Sequence, residues 1–129
     1  MYLHSSDTPG ANLVAEQLTV NDNYGVWSRA MVIALKAKNK IGFIDGACAK
    51  PDQDTPLFHQ WERCNPIVLS WIMNTVSKDL FTGIVYSMDA QFVWKDLKER
   101  FDKVNGLRFI QILGVLHKVT RHFLFTTLS

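Results

Sequence analysis

Apolar residues recur along this chain at intervals of three and four, the signature of helices with one buried side. The clearest run is NYGVWSRAMVIALKAKNKIGFIDG, residues 23–46. Tyr24, Trp27, Met31, Ala34 and Leu35 project to one side of a helix that the pattern extends from about Tyr24 to Lys40. Arg29, Lys36 and Lys40 line the other side. NDNY supplies N-caps, the late lysines complement the C-terminal end of the helix dipole, and Gly42 is the expected stop. FIDG then reads as a turn.

A second helix starts at Thr55-Pro56, cap and first helical position. Phe58, Trp61, Cys64, Val68, Trp71 and Ile72 follow at helical spacing. Pro66 falls inside it, removes a backbone donor and predicts a kink or break near Cys64–Asn65. Ser77 caps a short helix, KDLFTGIVYS, and Asp89 a longer one, AQFVWKDLKERFDKVN, with Val93, Trp94, Leu97 and Phe101 turned inward. Gly106 is its expected C-cap, and a last apolar helix runs from Leu107 to about Phe125. Before Tyr24 lie a Pro9-Gly10 turn and NLVAEQLTV, equally compatible with extended and helical backbone. The pattern predicts an all-α single bundle of about five helices. Residues 1–22 form an N-terminal arm, 23–106 the helical domain and 107–129 a divergent apolar helix or tail.

Composition changes this picture little. With 129 residues, 47% of them hydrophobic, the chain is long enough for one buried core. The net charge of +2 excludes a strongly basic protein. Its distribution leaves room for a local basic patch: residues 26–50 carry five cations against one acid, and residues 101–129 four against one. Two cysteines and no secretory leader fit a reduced cytoplasmic or nuclear setting. No apolar run reaches the roughly 20 residues of a spanning helix, so no membrane partner is expected, and no small-molecule substrate is expected either.

Candidate chemistry is sparse. Cys48, His59 and Cys64 lack zinc-site spacing and a close fourth ligand, and His117 and His122 fall on different helix faces. No nucleophile elbow, catalytic-cysteine signature or phosphate loop occurs. The chain reads as no enzyme, with no cofactor and no metal. Phosphate contact needs only placed cations, and the candidates are Arg29, Lys36, Lys40, Arg108, Lys118 and Arg121. The solvated back of a core helix is the stronger reading of the first three, and the four tryptophans sit on inward faces rather than as stacking platforms.

Four blocks occur in order: YLHSSDTPGANLV (2–14), NYGVWSRAMVIALKAKNKIGFIDG (23–46), WERCNPIVLSWIMNTVS (61–77) and VWKDLKERFDKVNG (93–106). Together they resemble the N-terminal, capsid-side Gag region of plant copia-type LTR retrotransposons, over about residues 2–106. The resemblance implies a helical, non-catalytic structural domain that self-associates into particles and packages RNA, with itself or related Gag chains as partners. It makes Tyr24, Trp27, Met31, Leu35, Trp61, Trp71, Trp94, Leu97 and Phe101 core positions.

The chain departs from the family pattern at Pro66. It departs again after Gly106, where LRFIQILGVLHKVTRHFLFTTLS has drifted apolar and no zinc knuckle follows. It reads as a truncated or decayed Gag fragment. Phe109, Ile110, Ile112, Leu113, Val115, Leu116, Phe123 and Phe125 spread around the last helix, and Phe109, Leu113, Leu116 and Phe123 are the candidates for self-association. The alternatives are a small nucleic-acid-binding adaptor using the basic helix face, and a relic with no retained function.

Overall fold

A computed structural model describes residues 3–19, 23–80 and 87–128, with side chains at 103–111 and 122–128 outside that description. The described elements are α1 (Tyr24–Ala37), α2 (Gly42–Asp45), α3 (Pro56–Asn74), a 3-10 turn at Lys78–Leu80 and α4 (Ala90–Leu128). The fold is all-α, 62% helical, with five helical segments and no sheet among the described residues. The chain divides into two compact units, Met1–Leu97 and Lys98–Ser129. The division falls inside α4.

The first unit is built on the stripes the spacing predicts. Trp27, Met31 and Leu35 of α1, Trp61, Cys64, Val68, Trp71 and Ile72 of α3, and Ala90, Val93 and Leu97 of α4 are buried. Tyr24 and Trp94 are half-buried. Trp94 stacks on Trp27 with ring centroids 5.5 Å apart. Trp27 also donates its indole N–H to Thr75 Oγ1 at 3.1 Å, so this large side chain is buried with its polar atom satisfied.

The N-terminal arm is a strap across α3. Trp71 Nε1 donates to Thr8 O at 2.6 Å and Asn74 Nδ2 to Pro9 O at 2.7 Å. Ten residues on, Leu18 is fully buried and forms a parallel bridge with Val76. Leu18 N–H donates to Thr75 O at 2.6 Å and Ser77 N–H to Leu18 O at 2.8 Å. The ambiguous NLVAEQLTV segment is therefore extended where it meets the core. Asn23 serves the strap too. Its side chain does not cap α1 but accepts from Thr19 N–H at 3.1 Å and donates to Gln17 O at 2.7 Å.

Helix ends depart from expectation at three places. α1 stops at Ala37, not Lys40, because Asn39 takes the left-handed conformation with φ 57°. Asn39 N–H then donates to Lys36 O at 3.0 Å and Lys40 N–H to Leu35 O at 2.8 Å, a complete Schellman closure. Asn39→Ala is expected to cost about 1 kcal/mol and Asn39→Gly almost nothing, measured by urea denaturation. Gly42, the expected stop, begins α2 instead. Cys48 N–H donates to its carbonyl at 2.8 Å, and a Cβ there would lie 2.7 Å from Cys48 Sγ.

α3 runs unbroken through Pro66. Glu62 and Pro66 both lie on the exposed side, so the carbonyl that loses its donor faces outward, while Cys64, Asn65 and Val68 hold the inner side. α4 likewise passes through Gly106 without ending. A glycine costs a helix interior about 1 kcal/mol but stops it only by turning left-handed. Two expected starts are found: Thr55 precedes Pro56 at the head of α3, and Asp89 Oδ1 accepts Gln91 N–H at 2.9 Å at the head of α4. Buried Asn65 reinforces the second, donating to Met88 O at 2.6 Å and accepting Ala90 N–H at 3.0 Å. The short helix expected from Ser77 is a 3-10 turn, and its residues 81–86 lie outside the described ones.

Candidate functional site

The cations of residues 29–40 do not share one face. Arg29 and Lys36 are exposed on the outer side of α1. Lys40 is 3% exposed, which removes it from any phosphate-contacting row. The Schellman closure turns the chain at Asn39 and sends Lys40 inward, where its Nζ lies 3.4 Å from Asp7 Oδ2. Asp7 Oδ1 lies 3.4 Å from Lys38 Nζ. Burial pushes the Asp7 carboxyl up, but the His4 N–H at 2.9 Å and the two ammonium groups outweigh it and hold its pKa below the ordinary 3.8. Lys38 also lies 5.9 Å over the Trp71 ring.

This ion cluster forms one wall of a concavity of about 630 Å³ between the strap and the end of α1. His4, Ser6, Asn12 and Asn39 carry its polar rim, with Leu13, Ala34 and Ala37 between them. A buried salt bridge spanning 33 residues has no periodic signature, so spacing missed it. The one available signal was an acid, Asp7, in an N-terminal arm that carries three acids and no Lys or Arg.

No group of three or more His, Cys, Asp or Glu side chains placed to hold a metal occurs among the described residues. Cys64 is buried and His59 exposed, which separates the only Cys/His cluster in the sequence. Burial pushes the Cys64 thiol up against the pull of Lys40, the opposite of an activated nucleophile. No helix among the described residues is long and apolar enough to cross a membrane.

In the second unit, residues 112–121 of α4 are all exposed. Ile112, Val115, Leu116 and Val119 fall at i, i+3, i+4 and i+7, one stripe about 100° wide with Leu113 beside it. The described part of the tail is therefore amphipathic, not apolar all round. His117, Lys118 and Arg121 occupy the far side. Residues 103–129 carry four cations and no acid. Of the candidate self-association residues, Leu113 and Leu116 are exposed; the side chains of Phe109 and Phe123 lie outside the described residues, as does that of Arg108. Phe101 is buried.

Residues 4–52 match the family described as Gag-polypeptide of LTR copia-type. That segment contains the strap, α1, α2 and every residue lining the concavity. The match supports the resemblance to the N-terminal Gag region and, with it, a structural role; the blocks at 61–77 and 93–106 lie outside the matched range. Searches of curated proteins and of solved structures gave no match.

Proposed function

We propose that this chain is a non-catalytic structural module of the Gag type that associates with its own copies or with related Gag chains through the C-terminal half of α4. The observation that carries the reading is the exposed stripe Ile112, Val115, Leu116 and Val119, on a chain whose first segment matches a copia-type Gag polypeptide. A helix presenting such a stripe to water gains by pairing it. Two copies meeting along it would bury on the order of 1,000 Å², the lower end of a specific interface. The cations on the far side stay in solvent in such a pair and do not oppose it.

Size-exclusion chromatography with light scattering, with and without a structured RNA, tests this. Discrete oligomers are expected without RNA, and Leu116→Glu with Val119→Glu should return them to monomer. These residues are exposed, so the variant should melt like the parent. A monomer at every concentration defeats the reading. A shift that needs RNA and disappears with salt assigns the function to the cations instead.

A further inference from the structure

The outer face of α1 is not a plain solvated back. Val26, Ala30, Ile33 and Ala37 follow one another at intervals of four, three and four. That is the d, a, d, a order of a heptad seam. Val26 is 66% and Ile33 62% exposed, Ala37 is exposed, and Ala30 is half-buried. Arg29 and Lys36, seven apart, occupy the two g positions flanking this seam, both in solvent. The e positions are Trp27 and Ala34, turned toward the core and the concavity. The alanines leave room for a second backbone to approach closely.

We propose that this face docks an acidic amphipathic helix of a partner protein. The partner's apolar seam lies along Val26 to Ala37, and carboxylates seven residues apart meet Arg29 and Lys36. Charge decides the occupant. An antiparallel copy of α1 would set Arg29 against Lys36 of its mate, like against like. A parallel copy would set Arg29 against an inward alanine, with no counter-charge. RNA would meet only two cations and would leave Val26 and Ile33 against phosphate. An apolar seam edged by cations on one side is matched by an apolar seam edged by acids. This surface is separate from the α4 stripe, and neither reading needs the other.

The probe is a fluorescein-labelled heptad-repeat peptide with Ala at a, Leu at d and Glu at e and g, compared with its Lys counterpart. Anisotropy with the full chain should show the Glu peptide binding about tenfold more tightly, with the preference shrinking as salt rises. Ile33→Asp should weaken binding about tenfold, as expected for a central apolar anchor. Arg29→Glu with Lys36→Glu should invert the preference, so that the Lys peptide binds better. All three side chains are exposed, and a thermal melt checks that the variants stay folded. Equal binding of the two peptides, no binding of either, or indifference to Ile33→Asp overturns the proposal. So does self-association abolished by Ile33→Asp, which would give the face to a second copy. RNA binding lost only in the charge variant would give it to nucleic acid.

Discussion

Trp71→Ala is expected to cost about 4 kcal/mol, close to the whole stability of a unit this small. Trp71 has no exposed surface, so truncation leaves a cavity the size of an indole between α3 and the strap. It also removes the N–H that holds Thr8 O at 2.6 Å and the ring beneath Lys38. Trp71→Phe separates these effects: most of the volume stays, the hydrogen bond goes, and the cost should fall to roughly 1–2 kcal/mol. Urea denaturation followed by far-UV circular dichroism measures both. A Trp71→Ala chain that loses less than the Phe variant would show that the strap does not depend on this indole.

Asp7→Leu is the second large effect, at about 3 kcal/mol. Removing the carboxylate takes the Asp7 charge away from the buried Lys40 ammonium and puts an apolar side chain in its place, and that lost pairing dominates the loss. Lys40 is 3% exposed and 3.4 Å from Asp7 Oδ2, so the double variant Asp7→Leu with Lys40→Met should recover most of it. Additive losses in the double-mutant cycle would argue against coupling of the pair. Lys38→Met should cost less, because 27% of the Lys38 side chain is already in solvent.

The same pair sets a pH dependence. The folded-state pKa of Asp7 is held below the ordinary 3.8, so its contribution is fully present above that value. It is lost as pH falls through the depressed folded value. The parent chain should therefore show an acid limb below about pH 4 that Asp7→Asn flattens. Thermal melts between neutral and acid pH read this directly.

What the sequence disclosed follows from what has a period. Trp27, Met31 and Leu35 are spaced to share a helix face, and Trp61, Cys64, Val68 and Trp71 repeat the same rule on α3; all are buried. Thr55-Pro56 and Asp89 announce helix starts through side-chain and backbone chemistry confined to a few residues. Stops were less legible. Asn39 and Gly42 both permit a helix end, and it is Asn39 that takes the left-handed conformation while Gly42 starts α2. Pro66 breaks a helix in isolation, yet here its outward position and the inner contacts of α3 carry the helix through. The burial of Lys40 depends on Asp7 arriving from the strap, a pairing that local spacing does not encode. For the surface, the basic spacing of Arg29 and Lys36 was visible, but the exposure of Val26 and Ile33 beside them required the packed fold.

The strap sets the order of events during synthesis. Residues 8, 9 and 18 leave the ribosome before their partners, Trp71, Asn74, Thr75 and Val76, which follow about sixty residues later. Until those residues emerge, Leu18 has nowhere to go, and α1 has half a core to fold against. The strap is therefore made early and fastened late. Closing that loop costs only a few kcal/mol of chain entropy, since the cost grows with the logarithm of loop length. It nevertheless ties the whole unit to completion of α3, so a nascent chain stalled before Val76 would hold its N-terminal apolar residues in water.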